Sequence, residues 1–134
     1  MAKRTSNPTM TVLAGDLKGA SVSVPESPLL RPTLARVREA VFDIWQFQVE
    51  GATFVDGFAG SGIMGLEALS RGAARVITVE KQTRNARRIM EQMKAIATRW
   101  GLKGDFALRW ELRTAAVEQA VLDLVAEGVE ADLV

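Results

Sequence analysis

The sequence predicts an α/β protein in which a parallel β-sheet is covered by helices and preceded by a small N-terminal β-hairpin. Short apolar runs alternate with helical segments from residue 52 onward, which is typical of strands joined by helical crossovers. Near the amino terminus, two short strand-like runs flank a glycine-containing turn at 15–19. The 134 residues suit one domain, which we divide into a hairpin extension (1–30) and the sheet with its helices (31–134).

The predicted elements follow one another in a regular order. Residues 9–24 form the hairpin, and prolines at 25, 28 and 32 hold the chain extended up to Thr33, a predicted N-cap. Apolar residues at helical spacing predict helices over 34–47, 60–71, 83–100 and 114–127. Apolar or alternating runs predict strands over 52–56, 75–80 and 105–111, and residues 130–134 are predicted to be the beginning of a fourth strand. We expect the chain to be truncated in this fourth strand, because an apolar edge without a partner invites aggregation.

Composition excludes several classes of chemistry. The chain has no cysteine and no histidine, so it has neither a disulfide framework nor the commonest metal ligands, and we expect no metal site. No apolar run is long enough for a membrane span, and the first ten residues lack the core of a secretion signal, so we expect a cytoplasmic protein. Basic residues are concentrated in 1–40 and 81–113, which permits nucleic-acid binding, but basic residues on a helix more often form a solvated face.

The stretch 54–80 contains the predicted binding site. Asp56 closes an apolar strand, Gly60 and Gly62 follow where a loop meets the next helix, and Glu80 closes the next strand. Ligands of parallel sheets bind outside the carboxyl ends of the strands, where small residues let backbone N–H groups approach them. A carboxylate at Glu80 can accept hydrogen bonds from two ribose hydroxyls. The sequence therefore predicts part of a site for a nucleoside cofactor.

The identity of the cofactor depends on Asp56. Residues 60–65 also match the dinucleotide pattern G-x-G-x-x-G, which is a weak signal by itself. A carboxylate beside a pyrophosphate is repulsive, whereas beside the cationic amino-acid part of S-adenosyl-L-methionine it is attractive. This favours a site for the methyl donor over a site for a nicotinamide dinucleotide. It also favours a binding site over a loop whose glycines only form a turn. Glu111, beside Trp110 at the expected end of the third strand, is a candidate adenine contact, although a solvated glutamate fits equally well.

Two separated motifs resemble one known family. The sequences DGFAGSG at 56–62 and GLEALSRGAA at 65–74, with RPTLARVREAVF at 31–42, closely resemble the RsmD family of small-subunit ribosomal RNA guanine-N2 methyltransferases. Ala14-Gly15 and Lys18-Gly19 resemble the hairpin of that family. The resemblance implies a class I, Rossmann-like methyltransferase fold, S-adenosyl-L-methionine as donor, and transfer to the exocyclic N2 of a guanine in 16S ribosomal RNA of the small subunit.

The resemblance also implies roles for particular residues. The end of the first strand and the loop after it would hold the methionine part of the donor, and Glu80 would hold the ribose. The residues of this strand end and loop are Asp56, Phe58, Ala59, Gly60, Ser61 and Gly62. Basic residues could face RNA or help to close the cofactor site, namely Lys18, Arg31, Arg36 and Arg38. Arg36 and Arg38 cannot share a helix face, so we expect different roles for them.

The catalytic residues of this family are not expected within these 134 residues. The family places an Asp-Pro-Pro-Tyr or Asp-Pro-Pro-Phe motif directly after the fourth strand, which corresponds to a position just after Val134. We therefore expect the chain as given to be catalytically silent, and we expect it to be monomeric. The alternatives are a non-catalytic RNA-binding or ribosome-assembly module of the same fold and, less favoured, a nicotinamide-dependent oxidoreductase.

Overall fold

The computed structural model describes residues 9–24, 34–57, 60–102 and 108–132. Its elements are, in chain order, β1 (Thr9–Thr11), β2 (Ser21–Ser23), α1 (Leu34–Ile44), β3 (Thr53–Asp56), α2 (Ile63–Ser70), β4 (Arg75–Glu80), α3 (Thr83–Arg99), β5 (Trp110–Thr114) and α4 (Val117–Ala126). None of these helices is long and apolar enough to cross a bilayer. The predicted N-cap Thr33 and the prolines before it lie outside the described residues.

Strands β3, β4 and β5 form a parallel sheet in that order, and β1 pairs with β2 in a separate antiparallel hairpin. In the parallel sheet Asp56 is in register with Thr78, and Glu80 is in register with Thr114. The carboxyl ends of all three strands therefore meet at one edge. The predicted α/β fold with an N-terminal hairpin is confirmed.

Helices cover both faces of the sheet. On one face, α1, α2, α3 and the hairpin bury a continuous apolar cluster that includes Phe42, Leu66 and Ile89 against Phe54 and Val76. On the other face, α4 buries Ala120 and Leu124 against Val55, Ile77 and Val79. The two crossovers through α2 and α3 thus pass over one face, and the chain changes face after β5.

The change of face brings the end of the described chain beside β3. The backbone N–H of Asp132 donates to the carbonyl of Thr53 at 2.9 Å, and the carboxylate of Asp132 accepts from the N–H of Thr53 at 2.9 Å. This is where a right-handed crossover through α4 should place a further strand. Residues 130–132 of the predicted fourth strand form no strand, and residues 133–134 lie outside the described residues, so the prediction stands untested for these last two.

The prediction for the third strand is wrong in position. Residues 105–111 were expected, but β5 begins at Trp110 and ends at Thr114. Trp110 sets this register, because its buried indole packs in the main cluster and its Nε1 donates to Oγ1 of Thr78 at 3.1 Å. Pairing with β4 therefore takes precedence over the local pattern of apolar residues. Helix α4 consequently starts at Val117 rather than at residue 114.

A buried carboxylate attaches the hairpin to α2. Glu67 is fully buried, and its oxygens accept hydrogen bonds from the backbone N–H groups of Leu13 (3.0 Å) and Ala14 (3.2 Å). The same carboxylate pairs with Nε of Arg38 at 3.2 Å and with Nε of Arg71 at 2.9 Å. A buried charge of this kind persists only when it is both paired and hydrogen-bonded. The hairpin, α1 and α2 thus meet at one ionic contact.

A tight backbone contact reinforces this attachment. The hydroxyl of Ser70 donates to the carbonyl of Ala14 at 2.6 Å and accepts from the N–H of Leu17 at 2.8 Å. Gly15 has φ of +91°, and a Cβ there would lie 2.1 Å from the carbonyl oxygen of Ser70. Only glycine fits this approach. The turn of the hairpin is therefore fixed against the carboxyl end of α2.

Candidate functional site

The loop between β3 and α2 forms the centre of the candidate site. Asp56 ends β3 with only 8% of its surface exposed. Gly60 and Gly62 have φ values of +55° and +86°, a region that other residues rarely adopt. Gly62 is the N-cap of α2 without a side-chain cap, while Oγ of Ser61 accepts from the N–H of Ile63 at 3.2 Å. The backbone groups of the loop thus lie beside the amino terminus of α2, which is the positive end of the helix dipole.

Helix α2 approaches the sheet closely because of a third glycine. A Cβ on Gly65 would lie 2.9 Å from Cγ1 of Val76 and 3.0 Å from Oγ1 of Thr78. The same point lies 3.8 Å from Oδ2 of Asp56. The close packing therefore keeps the Asp56 carboxylate beside the first turn of the helix. This brings a carboxylate and the glycine loop before α2 together in one place.

A cleft opens along the carboxyl edge of the sheet. It has a volume of about 330 Å³ and is lined by Gly57, Gly60, Val79, Glu80, Lys81, Gln82, Ala115, Ala116, Val117 and Glu118. This volume falls at the lower end of the range of small-molecule sites. A larger cleft of about 410 Å³ lies at the opposite edge, lined by Gln48, Glu50, Gly51, Ala52 and Asp132. We favour the first, because parallel sheets bind ligands at their carboxyl edge.

Glu80 is oriented by the turn that follows β4. Its Oε2 accepts from the backbone N–H of Gln82 at 2.9 Å, and the side chain lines the cleft. Arg88 lies one turn into α3, where burial lowers its pKa and the nearby Glu80 carboxylate opposes that shift. The edge therefore carries a half-exposed carboxylate with a cation close to it.

The structure brings most of the predicted cofactor residues together. Gly60 and Glu80 line the cleft, and the buried residues Asp56, Ser61 and Gly62 adjoin it along the chain. Phe58 and Ala59 lie outside the described residues. The ligand roles assigned to these residues stay predictions.

Glu111 is not where the sequence analysis placed it. It is the second residue of β5 and is in register with Ile77, in the middle of β4, rather than at the carboxyl edge. Its carboxylate pairs with Arg75 at 2.6 Å and with Arg113 at 3.0 Å. The predicted position of Glu111 at the carboxyl end of its strand is therefore wrong, because the strand begins later than predicted, and the adenine contact assigned to it stays a prediction.

The predicted RNA-facing residues separate into two groups. Lys18 and Arg36 are exposed, whereas Arg31 lies outside the described residues. Arg38 is only 3% exposed; besides Glu67 it binds the carbonyl of Thr11 through Nη2 at 2.6 Å. This guanidinium is buried among its partners rather than exposed to solvent as an RNA contact requires, and the role predicted for Arg38 stays untested. The expectation that Arg36 and Arg38 differ in role fits their different exposure.

Sequence reasoning missed two parts of the site. Ala115 and Ala116 line the cleft after β5, and a correct end for that strand would have revealed these small residues as its loop. Asn85 and Arg88 on α3 both donate to the carbonyl of Gly60, at 2.7 and 3.0 Å. No sequence motif signalled this second contact, since two polar residues on a helix are usually solvated.

The parallel sheet, its crossovers and the glycine loop define a Rossmann-like α/β fold. The structure of yhhF from Escherichia coli, provisionally described as a methyltransferase, matches with a TM-score of 0.69 and 27% identity over 85% of this chain and 58% of that one. The hypothetical protein TTHA0928 of Thermus thermophilus matches with a TM-score of 0.68 and 29% identity over 89% and 63%. The Rossmann-like methyltransferase fold expected from the sequence is confirmed.

The chain belongs to the family described as Conserved hypothetical protein 95, whose model matches residues 10–134. Ribosomal RNA small subunit methyltransferase D of Escherichia coli K12 is 38% identical over 85 residues, which are 63% of this chain and 43% of that protein. The resemblance to the RsmD family is thereby confirmed. The match spans less than half the length of this curated relative.

Proposed function

We propose that the chain forms the donor-binding part of an S-adenosyl-L-methionine-dependent methyltransferase that acts on the exocyclic N2 of a guanine in 16S ribosomal RNA. One observation carries the donor-binding part of the proposal. Two neighbouring parallel strands end in carboxylates, Asp56 and Glu80, on either side of a glycine loop that begins a helix. That arrangement suits a ligand with cationic groups at one end and a ribose diol at the other.

The end of β3 and its loop would hold the methionine part. The carboxylate of Asp56 attracts the ammonium and sulfonium charges, while the loop amides near Gly60 and Gly62 donate to the donor carboxylate. Asp56 is largely buried, which strengthens such an attraction compared with one in bulk water. A pyrophosphate at the same place would be repelled. The position of Asp56 therefore supports the methyl donor against a dinucleotide.

The end of β4 and the loop after β5 would hold the adenosine part. Glu80 lines the cleft and uses Oε2 for the turn at Gln82, and its carboxylate has further acceptor capacity for the ribose hydroxyls. Ala115 and Ala116 give the cleft a wall of small apolar side chains that suits a flat ring. This segment takes the place of Glu111 in the proposal.

When bound, the donor supplies an electrophilic methyl group, and the described residues would orient it. A guanine amine is a weak nucleophile because its lone pair is delocalised into the ring, so transfer depends on alignment of nitrogen and methyl group. Asp56, the glycine loop and Glu80 would hold the donor at three points along its length. These residues bind and orient, and the proposal assigns them no proton transfer.

The RNA substrate is supported by the name of the Escherichia coli relative, a small-subunit ribosomal RNA methyltransferase. Lys18 and Arg36 are exposed cations that could contact phosphates. A cytoplasmic, monomeric protein acting on the small ribosomal subunit belongs to the same proposal.

Isothermal titration calorimetry with S-adenosyl-L-methionine tests the donor site. We expect binding by the chain and a loss of about tenfold or more in affinity for Glu80→Gln, because the two ribose hydrogen bonds to a charged acceptor are weakened. Glu111→Gln is the matched control, a carboxylate of the same sheet away from the cleft, and it should bind within about twofold of the parent chain. Tighter binding of NAD⁺ than of the methyl donor would refute the proposal.

Methyl transfer tests the substrate. The whole methyltransferase, of which this chain is proposed to form the donor-binding part, is incubated with methyl-labelled donor and small ribosomal subunits, and the labelled nucleoside is identified by mass spectrometry. The proposal requires N2-methylguanosine in small-subunit RNA. Methyl label found only in another base or only in large-subunit RNA would contradict the proposal. RNA binding that changes neither with the donor nor with Glu80→Gln would favour a non-catalytic RNA-binding module.

A further inference from the structure

We infer that Arg88, together with Asn85, is a positioning residue that holds the glycine loop in its ligand-binding shape and couples that loop to the hairpin. The inference rests on the proposed function for the identity of the ligand. It concerns two side chains of α3 that are not among the residues lining the cleft at the carboxyl edge and that match none of the motifs in the sequence. Their hydrogen bonds join three segments that are distant in the chain.

The carbonyl of Gly60 is the point at which the loop is held. Nδ2 of Asn85 donates to this oxygen at 2.7 Å, and Nη2 of Arg88 donates to it at 3.0 Å. The two donors also fix each other, because Oδ1 of Asn85 accepts from Nε of Arg88 at 3.0 Å and from Nη2 at 2.6 Å. A spacing of three residues puts both side chains on one face of the helix. The carbonyl thus meets a preassembled pair of donors.

Holding this carbonyl determines the orientation of the next amide. A trans peptide is planar, with its C=O and N–H on opposite sides, so the N–H of Ser61 must point away from Asn85 and Arg88. Glycine has more backbone freedom than any other residue, and Gly60 has φ of +55°. Without external partners this peptide would rotate readily. The pair on α3 therefore reduces the entropy lost when a ligand binds the loop.

The same guanidinium binds the hairpin. Nη1 of Arg88 donates to the carbonyl of Ser23 at 2.5 Å and to its hydroxyl at 3.0 Å. The N–H of Ser23 in turn donates to Oε1 of Gln92 at 2.6 Å, one helical turn further along α3. Ser23 ends β2, so the hairpin and the glycine loop share one cation. Because such coupling is reciprocal, docking of the hairpin and binding of the donor should stabilise each other.

Two variants and a control separate this role from general stability. Arg88→Gln removes the contacts to both Gly60 and Ser23. Asn85→Ala removes the contact of Asn85 with Gly60 and its hydrogen bonds with Arg88, and it leaves in place the bonds of Arg88 to Ser23 and the charge beside Glu80. Arg87→Gln is the control, because it removes the same charge from an exposed position of the same helix. Urea unfolding verifies that each protein is folded before the comparison.

Hydrogen–deuterium exchange of the ligand-free proteins provides the first readout. We expect amides of residues 60–66 to exchange about tenfold faster in Arg88→Gln and Asn85→Ala than in Arg87→Gln. Amides of 21–24 should exchange faster in Arg88→Gln only, because Asn85 has no contact with Ser23 among the described residues. Equal exchange in Arg88→Gln and Arg87→Gln would overturn the inference.

Calorimetry with two ligands provides the second readout. Asn85→Ala should weaken S-adenosyl-L-methionine binding about tenfold and adenosine binding by less than about twofold, since the loop meets only the methionine part. Equal losses for both ligands, or none, would overturn the role in donor binding. The parent chain could bind neither ligand while amide exchange of the loop changes in the variants as expected. That result would refute the proposed function and support the coupling of loop and hairpin.

Discussion

Replacing Glu67 by glutamine should destabilise the protein strongly, although the two side chains have nearly the same size and shape. The carboxylate is fully buried and accepts from two backbone N–H groups and from two arginines at 2.9–3.2 Å. Glutamine exchanges one acceptor oxygen for a donor that faces these donors, and it leaves Arg38, itself 3% exposed, without its counter-ion. Breaking a buried pair in this way costs about 3–5 kcal/mol. This is a large fraction of the stability of a small domain.

Equilibrium unfolding in urea measures this loss, with Glu39→Gln as the matched control because Glu39 is an exposed acid on α1. The control should change the free energy of unfolding by less than about 0.5 kcal/mol. Amide exchange should show residues 12–17 opening first, because the bonds from Leu13 and Ala14 are lost. A loss for Glu67→Gln below about 1 kcal/mol, or no preferential opening of the hairpin, would refute the reasoning.

Two further predictions concern packing and pH. Gly65→Ala should lower the free energy of unfolding by about 1–3 kcal/mol in urea, because the added Cβ would lie 2.9 Å from a side chain of β4. Hydrogen bonds from Arg113 at 2.7 Å lower the pKa of Glu127, so NMR titration should show that pKa rise in Arg113→Gln. The contribution of this pair to stability is therefore present above the unfolded-state pKa of Glu127 and is lost as the pH falls through its folded-state pKa.

Each of these has a clear contrary result. An alanine at residue 65 that leaves the unfolding free energy unchanged would mean that α2 can move away from β4 at no cost. A pKa of Glu127 that is the same with and without the guanidinium of Arg113 would mean that the surface pair does not form in solution.

The fold and the loop could be predicted because their signals are local. Helical spacing, alternating strands and the glycines at 60 and 62 each lie within one short window. The third strand was misplaced because its start depends on Trp110 packing against Thr78 in a neighbouring strand. The displacement of Glu111 followed from that error.

Long-range ionic contacts had no such signal. Arg38 and Glu67 are 29 residues apart, so nothing in either segment shows that the two charges neutralise each other inside the protein. The contact of Arg88 with Gly60 depends on how α3 lies beside the loop, which also cannot be derived from spacing. Interactions between elements, rather than the elements themselves, limited the sequence analysis.

The passage of the chain from one face of the sheet to the other has a consequence for the evolution of the site. Gly57, which follows β3, and Val117, at the start of α4, both line the cleft, and a Cβ on Gly57 would lie 3.0 Å from Cγ2 of Val117. The shape of the crevice thus depends on the path of the backbone as well as on the small side chains of Ala115 and Ala116. Substitutions along its walls can alter which ligand is accepted while the crevice itself is inherited with the chain path.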